Sequence, residues 1–129
     1  MRTVRPHLLL CGWYRPGTGF TRVLEALLPA LASHFSVTWL GVGYAGPAFI
    51  HPLGARVLPT NLHGGDLLGA IWLREHWQAL APDLLFALND LWYLSHYNRE
   101  LAALARQHDV PLVAYLPLDG RDPPAPALA

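Results

Sequence analysis

Three consecutive leucines, Leu8-Leu9-Leu10, lead through Cys11 into a glycine-rich break and then an amphipathic helical repeat. This succession constrains the fold more than any other feature of the sequence. A strand with one wet face alternates apolar and polar residues, so an uninterrupted apolar run fits a strand covered on both faces. The break spans Gly12 to Gly19 and holds three glycines and Pro16. After it, Phe20, Val23, Leu24, Leu27, Leu28, Leu31 and Phe35 recur at helical spacing and place one broad apolar stripe against a sheet. Thr18 or Thr21 is placed to cap that helix. Pro29 conflicts with it, because an interior proline removes a hydrogen bond and clashes with the preceding turn at a cost of about 3 kcal/mol. The expectation is a kink there, or a helix that ends near Leu28.

The same alternation continues. Ser36 to Gly41 reads as a second strand, and Gly41 to Leu53 as a loop with three glycines and two prolines. Arg56 to Leu58 reads as a short third strand toward the sheet edge. Asp66 is placed to cap a helix running to about Leu80, with Ala70, Leu73, Trp77 and Leu80 facing inward and Pro82 stopping it. Asp83 to Leu88 is a fourth strand, and Leu94, Tyr97, Leu101 and Leu104 mark a third helix ending near His108. Val110 to Leu116 is a fifth strand. Strands alternating with amphipathic helices imply an α/β fold around a mainly parallel sheet, Rossmann-like and doubly wound, with core order 3-2-1-4-5 in chain numbering. Residues 1–121 form the expected domain, and 122–129, with three prolines, a tail or the start of a linker.

Composition supports a folded chain: 53% of the 129 residues are apolar and 14% charged. Lys+Arg 9 balances Asp+Glu 9, so no net charge draws the chain to nucleic acid or anionic lipid. All nine basic residues are arginine, which excludes a lysine Schiff base and a Walker-type phosphate lysine. The single Cys11 has no internal disulfide partner and reads as a buried thiol. No apolar run approaches the roughly 18 residues of a membrane span, and Met1 to Pro6 lacks a signal-peptide cleavage pattern, so the expected location is cytoplasmic. The seven histidines are scattered, with no metal-binding pair; His51 and His63 read as surface residues of loops.

In a doubly wound sheet, ligands bind beyond the carboxyl ends of the strands, where the winding reverses. The loop after strand one, Gly12 to Gly19, allows close backbone approach and opens a helix whose first amides can face a phosphate. Arg15, Gly17, Thr18 and Gly19 are therefore candidate phosphate contacts, with Trp13 a candidate stacking ring. Asn89 and Asp90 after strand four, with Trp92, and Asp119 after strand five are candidate substrate contacts; Asp90 and Asp119 can also cap or turn the chain. A dinucleotide fingerprint fits poorly, since Arg22 stands at its third glycine position and no carboxylate follows strand two. Thr18-Gly19-Phe20-Thr21 resembles the hydroxyl-rich phosphate loop of flavodoxins, with Pro16 where a hydroxyl is expected. That leaves an FMN-binding module as an alternative, beside a freestanding nucleotide- or sugar-binding domain without catalysis.

Taken in order, Gly17-Thr18-Gly19-Phe20-Thr21-Arg22-Val23, Leu40-Gly41-Val42-Gly43-Tyr44, Asn89-Asp90-Leu91-Trp92 and Tyr115-Leu116-Pro117-Leu118-Asp119-Gly120 resemble the amino-terminal domain of retaining glycosyltransferases of the GT-B fold. The resemblance covers nearly all of Leu8 to Gly120. It implies a two-domain enzyme in which this half receives the acceptor and a carboxy-terminal half, absent from these 129 residues, holds the nucleotide-sugar donor. The Gly17–Gly19 loop would lie near the donor diphosphate, and Asn89, Asp90 and Asp119 along the acceptor. It implies no tightly bound cofactor and no metal in this domain, and an isolated half without turnover. Pro117 stands about where many relatives carry a histidine, with Asp119 the nearest polar substitute.

Overall fold

The computed structural model describes residues 5–60, 70–88 and 95–115. Along the chain run β1 (His7–Trp13), α1 (Gly19–His34), β2 (Ser36–Val42), β3 (Phe49–Ile50), β4 (Ala55–Pro59), α2 (Ala70–Leu80), β5 (Leu84–Leu88), α3 (Ser95–Gln107) and β6 (Leu112–Tyr115). The strands form one sheet in the order β3-β4-β2-β1-β5-β6, parallel throughout except for the antiparallel β3–β4 pair. The fold is therefore α/β, with six strands among the described residues where the sequence suggested five. The additional strand is β3, inside the stretch read as a loop, and it moves the edge outward from β4.

Both faces of the sheet are covered, which explains the run of leucines. Leu8 and Leu10 point to the α1 side, where they pack with Leu24, Leu28, Val37 and Trp39. Leu9 and Cys11 point to the opposite side, against Leu73 and Trp77 of α2 and Leu101 and Leu104 of α3. All four of Leu8, Leu9, Leu10 and Cys11 are fully buried. A strand whose successive side chains face opposite layers has no position left for a polar residue.

Pro29 lies inside α1, which continues to His34 instead of ending at Leu28. Its ring sits on the exposed face of the helix. Ending at Leu28 would release Leu31, Ala32 and Phe35, which pack against the α1-side core. Leu31 and Phe35 are partly buried there, and the apolar area they cover, at about 25 cal/mol per Å², works against the roughly 3 kcal/mol cost of an interior proline.

The amino ends of the strands are tied by His7. Its backbone amide donates to Asp83 Oδ2 at 2.8 Å, and its ring bridges the Leu80 carbonyl and Thr38 Oγ1, both at 2.7 Å. Because a carbonyl only accepts, Nδ1 carries the proton toward Leu80. This histidine joins β1, β2 and the end of α2 at the rim opposite the candidate site. No helix among the described residues is long and apolar enough to cross a membrane.

Candidate functional site

The parallel register brings the carboxyl ends of the strands to a common rim. Gly12 of β1 is level with Gly41 of β2 and Leu88 of β5; Gly41 is level with Pro59 of β4, and Leu88 with Tyr115 of β6. The ends of β1, β5 and β6, from which the candidate ligand loops leave, therefore share that rim. Of the candidate residues, Trp13, Arg15, Gly17, Thr18 and Gly19 are described; Asn89, Asp90, Trp92 and Asp119 lie outside the described residues, as do His63 and the capping candidate Asp66.

The loop from β1 into α1 is built on itself. The Thr18 amide donates to the Arg15 carbonyl at 3.2 Å, closing a four-residue turn with Pro16 and Gly17 at its centre. Gly17 has φ of +93°, the left-handed conformation that a Pro-Gly turn asks of its second central residue. Thr18 caps α1, its Oγ1 accepting from the Thr21 amide at 3.4 Å and donating to the Arg15 carbonyl at 2.8 Å. Among the described residues nothing lies within 4 Å of a Cβ built at Gly19, so they leave the helix start uncovered. The amides of Gly19 and Phe20 precede the first intrahelical bond, Arg22 N–H to Thr18 carbonyl at 3.0 Å.

Thr21 holds this loop to the strand, and the sequence reading placed it only as a possible cap. It is fully buried. Its hydroxyl donates to the Trp13 carbonyl at 2.8 Å and accepts from the Arg15 amide at 2.9 Å. The signal available was a second threonine one helical turn after the capping one, which marks a hydroxyl directed back at the loop. Replacing Thr21 with valine keeps the shape but strands a buried acceptor and donor, and is expected to cost about 1–3 kcal/mol. A chemical-denaturation midpoint measures it, with Thr21→Ser expected to retain most of the stability.

Trp13 and Tyr14 diverge to opposite sides of the rim. Trp13 is half-buried against the α2/α3 core, with the exposed Arg15 guanidinium 6.0 Å from its ring centroid, the outer limit of a cation–π contact. Tyr14 packs on the α1 side, edge-on to Trp39, Tyr44 and Phe49 at centroid separations of 5.2, 5.1 and 5.5 Å. Gly41 makes room for this: a Cβ there would stand 3.0 Å from that of Tyr14 and 3.1 Å from that of Tyr44. Burial pushes the Tyr14 hydroxyl above the ordinary tyrosine pKa, and the negative charge of Glu25 and then Tyr44 add to the effect. Tyr14 is thus held as a neutral phenol, wedged between the candidate loop and the β3–β4 edge.

His51 departs from the surface role expected of it. It is 6% exposed, with Nε2 2.8 Å from Glu25 Oε2 and Nδ1 accepting from the Leu53 amide at 3.0 Å. No local pattern could disclose a pairing of residues so far apart in the chain. Trp39 and Trp77, in contrast, are buried as packing residues, and Cys11 is a buried thiol.

No known family model matches this sequence, and no curated protein matches it significantly. The chemistry of the site must therefore be read from its geometry. A rim shared by the ends of β1, β5 and β6, a helix start open at Gly19 and an arginine beside a tryptophan suit an anionic ligand with a flat or ring-shaped portion. Among the described residues, no group of three His, Cys, Asp or Glu side chains is placed to hold a metal ion.

Proposed function

We propose that this chain is the acceptor-side, amino-terminal half of a GT-B-fold glycosyltransferase, moving a sugar from a nucleotide-sugar donor to an acceptor hydroxyl. The observation that carries the reading is the common rim of β1, β5 and β6, with the 13–19 loop entering α1 beside it. In a Rossmann-like, doubly wound reading of the sheet, the winding reverses between β1 and β5, and ligands bind at such a reversal.

Sugar transfer makes two demands on such a site. The leaving diphosphate gathers negative charge, which the amides at Gly19 and Phe20 and the Arg15 guanidinium are suited to stabilise. The acceptor hydroxyl must be aimed at the anomeric carbon, the part assigned to Asp90 and Asp119, with Asn89 binding the acceptor and Trp13 or Trp92 stacking on a sugar or base. The partner in this reading is a carboxy-terminal donor-binding domain, which closes the cleft and excludes water. Thr21 counsels against the flavin alternative: its buried hydroxyl is already engaged by the Trp13 carbonyl and the Arg15 amide.

Titrating the labelled chain with UDP-glucose or GDP-mannose tests the proposal. The expected result is weak binding, with a Kd of about 1 mM, perturbing the Trp13 indole and the Gly17 and Gly19 amides. No product should form until a donor-binding domain is supplied. Submicromolar donor binding by this chain alone would overturn the division of labour, and a bound yellow chromophore would overturn sugar transfer.

A further inference from the structure

The β3–β4 hairpin is fastened to α1 by a histidine that can do its job in only one protonation state. The turn at its tip is closed by His51 N–H to the Ala55 carbonyl at 2.7 Å and Gly54 N–H to the His51 carbonyl at 3.0 Å. Gly54, at φ +109°, leans on α1 so closely that a Cβ would stand 2.8 Å from that of Ala32. Within this turn His51 Nδ1 accepts from the Leu53 amide, so it bears no proton, and Nε2–H donates to Glu25 Oε2. The bond from ring nitrogen to the amide two residues on has the layout of an Asx turn, with imidazole replacing the asparagine oxygen.

We propose that the β3–β4 hairpin is a pH-sensitive clasp: protonation of His51 releases the Leu53 amide and loosens the turn, while the tie to Glu25 holds. A proton on Nδ1 sets two donors against each other at 3.0 Å, so that bond breaks and the Leu53 amide, on a residue 42% exposed, passes to water. The contact with Glu25 survives because Nε2 is a donor in both states. Arg5, whose guanidinium donates to the Ala32 carbonyl beside Gly54, is a fixed positive charge, and the rings in contact with His51 are uncharged. Trp39 of β2 and Phe49 of β3 face it at ring separations of 6.0 and 6.4 Å, and the turn residues Pro52, Leu53 and Gly54 carry no charge. Arg56 of β4 lies between buried Ala55 and Val57, and strand alternation turns it to the opposite face. Tyr14 is coupled to Glu25 as a neutral phenol. Phe49 rides on the hairpin and packs on Tyr14, next to Arg15, so loosening the turn slackens a support of the rim. The clasp does not depend on the sugar-transfer reading.

The test follows the His51 ring nitrogens and the Leu53 amide of the full chain by NMR from about pH 8 to about pH 5. At the upper end, the proton should sit on Nε2. As the ring protonates, Leu53 amide exchange, corrected for its intrinsic pH dependence, should rise about tenfold against the Leu9 and Leu40 amides. In His51→Asn the side-chain oxygen keeps the acceptor without titrating, and Leu53 protection should stay level throughout. Glu25→Gln should keep the pH response. A proton on Nδ1 at the upper end, a ring neutral throughout, a Leu53 amide unmoved by protonation, or a His51→Asn variant as pH-sensitive as the wild type would each overturn the clasp.

Discussion

Replacing Trp39 with alanine is expected to lower stability by about 3–5 kcal/mol. Domains of this kind are held by about 5–15 kcal/mol in total, so much of the margin disappears and the unfolding midpoint in urea should fall accordingly. Trp39 is fully buried on β2, with its ring against Tyr14 and its indole N–H donating to the Gly12 carbonyl at 3.2 Å. Alanine removes the largest side chain in the α1-side core and opens a cavity between β2 and α1. Phenylalanine separates the two contributions. It refills much of the volume but leaves the Gly12 carbonyl without the indole, and should cost about 1 kcal/mol beyond the loss of volume. A midpoint for Trp39→Ala within error of the wild type would mean that Tyr14 and Phe49 close over the gap.

The sheet was legible because burial on two faces writes itself into consecutive residues. The run Leu8 to Cys11 fits a strand covered on both faces, and Leu73 and Trp77 of α2, four positions apart, share one helix face. What escaped had no such imprint. The strand β3 has two residues, Phe49 and Ile50, amid glycines and prolines, and it exists because β4 offers an open edge to pair with. Of the two outcomes expected at Pro29, the early end near Leu28 does not occur: α1 runs on to His34, and the residues beyond the proline pack against the core. In α1 the stripe was drawn one position wide of the mark: Val23, placed inward, is 37% exposed, while Thr21 is fully buried.

For the site, glycine and proline gave away the turn and little else. Pro16-Gly17 announces it, and Thr18 its cap. The inward hydroxyl of Thr21, the Tyr14 wedge and the Glu25–His51 tie all depend on segments meeting across the sheet, which composition and spacing do not record. Of the two rim glycines, Gly12 reads from sequence as the start of a loop and Gly41 as the junction of strand and loop; both sit inside strands, where their lack of a side chain is used for close approach.

Gly12 is the sharper case, and its replacement by valine is expected to destabilise the fold strongly. A Cβ at this position would stand 2.5 Å from Leu24 Cδ1 and 3.0 Å from the Leu88 carbonyl oxygen. The two obstacles respond differently. The end of the Leu24 side chain can swing away, whereas the Leu88 carbonyl belongs to β5 and moves only if the β1–β5 pair parts. Alanine therefore should cost about 1–3 kcal/mol through overpacking, and valine, with two further methyl groups, at least about 3 kcal/mol. Leu24→Ala alone should cost about 2–5 kcal/mol as a cavity in the α1-side core. Combining it with Gly12→Ala decides which obstacle dominates. If Leu24 does, the double variant loses less than the sum of the two singles, because the new methyl enters the space that leucine left. Additive losses would assign the constraint to the β5 backbone, and so to the spacing of β1 and β5.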